Sequence, residues 1–197
     1  NPDALTVTKQ AFAIYANMHA TYWCPVDILK DDGFSWLNGH DRLSGQGMDR
    51  FKETQAVSHD GWIKMLPAIT AGNHYVQWDE HLVACLKTSF AKVDWVAYQT
   101  ELKTRPFSLV HGDAHPHNFL WCDQRTDMAH LKLIDFEMIG LGSPAQELGQ
   151  YLISHMEPSL RRGNERNLVQ EYHTQVCSHL EKKKNKNKTR KAAHRAS

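Results

Sequence analysis

Residues 111–118 read HGDAHPHN and residues 133–137 read LIDFE, which sets out three oxygen-bearing side chains in a fixed order: Asp113, Asn118 and Asp135. A phosphoryl-transfer site needs such a set. One carboxylate can accept the proton of an attacking hydroxyl, or at least orient it. An amide oxygen and a second carboxylate can hold the Mg²⁺ that neutralises the phosphates of ATP. Asp113 follows a short apolar run and Gly112, where the backbone must turn tightly and a bulky neighbour would crowd a substrate. Asp135 ends the run LKLID. Singly, each has an ordinary reading, Asp113 as the side chain of an Asx turn for example. The signal lies in the order: HxDxxxxN, then apolar-apolar-Asp-Phe.

The neighbouring residues have supporting readings. His111 is expected to brace backbone around the strand that carries Asp135, through a ring nitrogen. His115 is expected to pack or hydrogen-bond within the loop, and His117 to face solvent or line the substrate mouth. Glu137, two residues past Asp135 and on the same side of an extended chain, is either close to metal and phosphates or a solvated acid. The spacing H-x3-H-x-H of His111, His115 and His117 also raises a Zn²⁺ site, and a metal-dependent hydrolase using His111, His115 and Asp135 is a further alternative. Against zinc, no cysteine pair lies nearby, and Pro116 breaks any helical presentation of His111 and His115.

These residues need a frame. Phe12, Tyr15, Met18 and Tyr22 recur at helical spacing, so the periodicity predicts an amphipathic helix over 8–22. Residues 31–47, rich in Gly, Asp and Asn, read as a loop. A second helix is expected over 48–66, stopped near Pro67. The longest helical pattern covers 78–103, with Trp78, Leu82, Cys85, Leu86, Phe90, Val93 and Val96 as a core-facing stripe. The period then changes. Residues 107–110, 119–121 and 131–136 are short apolar or β-branched runs and predict strands. Helices are expected again over 144–156, with Ser143 as N-cap and Pro144 in the first turn, and over roughly 164–181. The fold class is therefore mainly α with a small β-hairpin insert carrying the polar residues.

At 197 residues and 41% hydrophobic, the chain can bury one sizeable core. It has no apolar run long enough for a membrane span and no leader-like start. Cys24, Cys85, Cys122 and Cys177 are far apart and read as reduced, mostly buried thiols of a cytoplasmic protein. Residues 181–197 carry eight Lys or Arg against Glu181 alone, which leaves the rest of this +1 chain net acidic. An acidic body with a basic tail is not the profile of a nucleic-acid-binding domain. The tail, 182–197, has almost nothing to bury and is expected to be disordered and to contribute nothing to folding.

HGDAHPHN with LIDFE resembles the catalytic loop and metal-binding motif of the aminoglycoside phosphotransferase and choline kinase-like family, relatives of the protein kinases. GLGSPAQELGQYL resembles that family's G-x-P-x-x-D-L segment, with Glu147 where Asp is usual, and MHATYW resembles the helix end that follows its small lobe. The resemblance covers roughly residues 10–175. It implies a carboxyl-terminal kinase lobe (residues 1–181), ATP and Mg²⁺ as cofactors, and a small-molecule hydroxyl as acceptor. By position Asp113 matches the catalytic Asp, and Asn118 and Asp135 match the metal ligands. No Gly-rich phosphate loop or strand lysine precedes residue 10, so the amino-terminal lobe is expected to be absent from this chain. Two function classes follow: a small-molecule kinase, or a catalytically inactive kinase-like binding or scaffold protein. An acceptor pocket in the helical region would draw on Trp36, Trp62, Trp78 and Asp79, a set suited to a cationic acceptor.

Overall fold

The apolar residues of the first segment recur every three or four positions. In the computed structural model they form one face of α1 (Ala4–Thr21), where Ala11, Phe12, Tyr15, Ala16 and Ala20 are buried. Asp3 caps this helix, its carboxylate accepting from the Thr6 N–H at 2.9 Å. Residues 3–72, 78–121 and 131–196 are described, with backbone alone at 187 and from 190 onward. The chain divides into two compact units, Asn1–His40 with Pro106–Ser197, and Asp41–Arg105.

In the first unit the buried face of α1 packs against α6 (Pro144–His155), α7 (Pro158–Ala196) and a hairpin of β2 (Phe119–Trp121) and β3 (Leu131–Leu133). Leu148, Tyr151 and Leu152 come from α6. Leu168, Tyr172 and Val176 come from α7 at four-residue intervals, and Phe119 and Leu131 from the hairpin. The rings interlock edge to face, Tyr15 against Phe119 and Phe12 against both Tyr151 and Tyr172.

The three expected strands form, but the one read over 131–136 stops at Leu133, because Asp135 turns left-handed and Phe136 opens a 3₁₀ turn; one strand is added. A second antiparallel pair joins β1 (Ser108–Val110) to β4 (Gly140–Gly142), Ser108 opposite Gly142 and Val110 opposite Gly140. Gly140 also bridges Asn38, so close that a Cβ on it would lie 2.3 Å from the Asn38 carbonyl oxygen. The region 31–47 is largely irregular, with a 3₁₀ turn at Asp32–Phe34 and a short α2 (His40–Ser44), and another 3₁₀ turn, Ile28–Lys30, just precedes it.

The second unit holds α3 (Met48–Thr70), α4 (Glu80–Lys92) and α5 (Trp95–Thr104). Here several expectations change. Helix α3 runs through Pro67, because the missing N–H falls in its last turn and the Ala71 N–H still reaches the Pro67 carbonyl at 2.9 Å. The expected long helix over 78–103 is two helices. Asp94 adopts an extended conformation and caps α5 by accepting from the Ala97 N–H at 2.8 Å. Its stripe is not core: no residue of α4 is buried, and Val96 is 70% exposed. Trp62 is buried against Trp78 and Phe90, and Asp79 caps α4 through the Leu82 N–H. These three are therefore packing and capping groups rather than an open acceptor wall. Cys85 and Cys177 are exposed on outward helix faces and Cys24 is half-buried, against the expectation of buried thiols; Cys122 lies outside the described residues.

Helix α7 starts earlier and ends later than its apolar pattern. Lysine and alanine are good helix formers, and the segment 182–196 continues the helix that the core already nucleates. Nor is the segment without a tie. Lys183 Nζ donates to the carbonyl of Thr21 at 2.6 Å, a cation at the negative end of α1 worth about 0.3–1 kcal/mol. The surface pair Lys9–Glu171 (3.1 Å) also links α1 to α7, and adds little because both partners are exposed.

Leu168 is fully buried where α7 meets this core. Leu168→Ala is expected to cost about 2–5 kcal/mol, from lost transfer energy and the cavity left behind. Thermal unfolding followed by circular dichroism should show the melting temperature falling by roughly 5–20 °C.

Candidate active site

The segment HGDAHPHN leaves β1 and enters β2 through a 3₁₀ turn, Pro116–Asn118. Gly112 has φ +86, and a Cβ there would meet the Met138 carbonyl oxygen at 2.1 Å. Only glycine allows both the left-handed conformation and that approach. Its N–H points inward and donates to Glu147 Oε1 at 2.9 Å.

Glu147 is the anchor of this turn. Its side chain is only 3% exposed, and its second oxygen, Oε2, lies 2.6 Å from Nε2 of the fully buried His19. His19 Nδ1 lies 2.7 Å from the Tyr172 hydroxyl. A ring carrying its proton on Nε2 satisfies both contacts, donating to the carboxylate and accepting from the hydroxyl. Three helices thus converge on the loop through one hydrogen-bonded chain: Tyr172 from α7, His19 from α1 and Glu147 from α6. Burial, and then the negative charge of Glu147, push the hydroxyls of Tyr15 and Tyr172 well above the usual tyrosine range, so both stay protonated.

Asp113 is placed next to this anchor with its carboxylate 38% exposed. Donors surround it. His115 Nε2 lies 3.2 Å from Oδ2, Asn118 Nδ2 donates to Oδ2 (3.3 Å) and to the Asp113 carbonyl (2.9 Å), and Gln150 Nε2 donates to Oδ1 (3.3 Å). Since the amide nitrogen of Asn118 is committed to Asp113, its oxygen is the atom left for a cation. His111 is fully buried, and its Nε2 donates to the Ile134 carbonyl at 2.8 Å. The Ile134 N–H in turn donates to the Asn118 carbonyl at 2.9 Å.

Both backbone groups of Ile134 are therefore held by the HGDAHPHN segment, and Asp135 is the next residue. Asp135 is exposed, sits at φ +61 and ψ +68, and makes no cap with its side chain. A non-glycine residue in the left-handed region carries a conformational cost of about 1–3 kcal/mol, which the ties at Ile134 sustain. An amide oxygen and an exposed carboxylate are hard oxygen donors, the kind Mg²⁺ takes. Glu137 is exposed in the 3₁₀ turn Phe136–Met138 and is brought onto no other site residue.

The profile of the ecdysteroid kinase-like family matches residues 8–185. The chain belongs to that family. Its members are small-molecule kinases within the protein-kinase-like superfamily, related to choline kinase and the aminoglycoside phosphotransferases. Searches among curated proteins and among solved structures found no match. Among the described residues, no helix of this ecdysteroid kinase-like protein is long and apolar enough to cross a membrane.

Four residues that build the site were given no role by the sequence. His19 and Glu147 lie in the segments MHATYW and GSPAQEL, and the substitution of Glu for Asp at 147 was the available hint; Tyr172 and Gln150 carry no local signature. His155 was also missed. It ends α6 and stacks on His115, ring centroids 5.3 Å apart, with His117 edge-on at 5.1 Å. Burial, then the neighbouring His115 and His117, hold its imidazole below the ordinary value, and Asp113 pulls the other way.

Glu147→Ala would leave His19 and the Gly112 N–H buried without their acceptor. It is expected to destabilise by about 3–5 kcal/mol in urea unfolding, with Glu147→Gln losing less because it still accepts from Gly112. Gly112→Ala should cost more than the roughly 1–2 kcal/mol of a left-handed non-glycine residue, since the Met138 carbonyl must also move. The same unfolding measurement checks it.

Proposed function

We propose that this protein is an ATP-dependent kinase of the ecdysteroid kinase-like family that transfers the γ-phosphoryl group to a hydroxyl of a small molecule. The observation that carries the reading is the double tie at Ile134, which fixes Asp135 to the segment bearing Asp113 and Asn118. In this reading residues 1–181 form the kinase-like carboxyl-terminal lobe and 182–196 a basic extension of its last helix.

Asp113 acts on the acceptor. Its partly exposed carboxylate accepts a hydrogen bond from the incoming hydroxyl, turns a lone pair toward the phosphorus and takes the proton as the new O–P bond forms and the bond from the γ-phosphorus to the β,γ-bridging oxygen breaks, with ADP as the leaving group. Gln150 and His115 hold that carboxylate from opposite oxygens, so its orientation is set before the acceptor arrives. The amide oxygen of Asn118 and the carboxylate of Asp135 would hold Mg²⁺, with His111 and Asn118 keeping Asp135 in place through Ile134. Bound Mg·ATP would supply the phosphoryl group and the positive charge that neutralises the phosphate oxygens. The family's name points to a polyhydroxylated steroid as acceptor, a molecule with several alcohols on an apolar frame. Trp62, Trp78 and Asp79 are committed to packing and capping, which leaves only the exposed Trp36 of the set read as suited to a cation.

The test is phosphoryl transfer from ATP to a panel of polyhydroxylated steroids and smaller alcohols, by the full gene product and its variants. Asp113→Asn is expected to lower kcat by about 10²–10⁴-fold with the melting temperature little changed. Asp135→Asn should lower kcat at limiting Mg²⁺ and raise the Mg²⁺ concentration needed for half-maximal rate. Parental activity in both variants would overturn the assignment. Failure to bind Mg·ATP at millimolar concentration would favour the inactive scaffold instead.

A further inference from the structure

Three imidazoles from two separate elements meet beside Asp113. His115 and His117 flank Pro116 on the loop, and His155 is the last residue of α6. One nitrogen from each ring can be chosen so that all three lie within 4.8 Å of one another. The cluster differs from the H-x3-H-x-H set read from sequence. His111 is excluded because it is fully buried and spends Nε2 on the Ile134 carbonyl, and His155, some forty positions on, takes its place. Pro116, the argument against a helical zinc motif, bears on neither His117 nor His155.

We propose that His115, His117 and His155 form a binding site for a zinc-class divalent cation, distinct from the Mg²⁺ site assigned to Asn118 and Asp135. The donor chemistry selects the metal class. Three neutral imidazoles are ligands for Zn²⁺, Co²⁺, Ni²⁺ or Cu²⁺, whereas Mg²⁺ prefers carboxylate and carbonyl oxygens. Three protein nitrogens and one open position are a common tetrahedral arrangement.

Geometry favours the reading at three points. His115 lies with Nε2 against the Asp113 carboxylate (3.2 Å), and its Nδ1 is buried with no hydrogen-bond partner among the described residues. A carboxylate that takes the N–H on one side of an imidazole fixes the tautomer, so the lone pair stands on the other nitrogen. Metal-bound histidines are usually held in this way. The distances are short enough to close. Zn–N bonds of about 2.0–2.1 Å put tetrahedral ligand atoms roughly 3.4 Å apart, so the rings need draw in by little more than 1 Å. His117 and His155 are exposed and free to rotate by that amount. Lastly, the backbone beneath them is fixed, α6 being pinned to the loop through Glu147 and Gln150, on the same helix that ends in His155.

The experiment is titration of the metal-free protein with Co²⁺, read by its visible absorption, and with Zn²⁺ by calorimetry, in the absence of ATP and acceptor. The expected result is one Co²⁺ per chain with a tetrahedral-type spectrum, displaced by Zn²⁺ and unaffected by millimolar Mg²⁺. His117→Ala and His155→Ala, both at exposed positions, should each abolish the spectrum while keeping the parental circular dichroism. Asp113→Asn should weaken Co²⁺ binding by about 10–100-fold, the usual effect of removing a carboxylate behind a histidine ligand. No binding at millimolar Co²⁺, or undiminished binding in either histidine variant, would overturn the site. Because no nucleotide is present, that failure leaves the kinase reading untouched, and a failed kinase assay leaves this result standing.

Discussion

The carboxylate of Glu147 is the point on which the rest of the first unit depends. One oxygen holds the Gly112 N–H and the other meets His19, so a single buried side chain joins the start of the HGDAHPHN segment to α1 and, through His19, to Tyr172 of α7. Buried carboxylates are costly unless their oxygens have donors, and here the two donors, the Gly112 N–H and the His19 ring, come from two distant parts of the chain. Each half supports the other: the docked helices place an acceptor for the Gly112 N–H, and the turn at Gly112 supplies that carboxylate with one of its two donors.

From that point the geometry spreads outward by short steps. Gly112 sets Asp113, Asp113 is met by Gln150 one turn along the same helix as Glu147, and Asn118 returns to Asp113 while its carbonyl takes the Ile134 N–H. His111 closes the circuit on the Ile134 carbonyl. Asp113, Asn118 and the backbone of Ile134 are thereby placed by other polar groups and not by packing alone. Such networks hold side chains to tight tolerances in the way phosphoryl transfer demands.

Much of this was legible in the residues themselves. Asp113, Asn118 and Asp135 stood out because polar groups in a set order between short apolar runs are rare in a chain whose other segments read as helix. β1 to β3 followed from the same change of period. β4 did not, since Gly-Leu-Gly has no strand propensity and exists as a strand only because β1 lies opposite it. The break at Asp94 was written as a cap but hidden by an apolar stripe that runs through it. The ends of α3 and α7 were misjudged for one reason: once core contacts have nucleated a helix, a late Pro67 or a run of lysines does not stop it. His19 with Glu147, and His155 with His115, are long-range pairs, and no local pattern encodes them.

The strand β4 has one more consequence. Asn38 lies against Gly140 and Ser108 against Gly142, so the place where the chain departs for residues 41–105 and the place where it returns are both stitched to the same three residues. The excursion between them is an insertion with clamped ends. Closing a longer or shorter loop between fixed ends changes the free energy only logarithmically with length. A change of length between residues 41 and 105 therefore leaves the ladder of β1 on β4, and with it the start of the HGDAHPHN segment, in the same register.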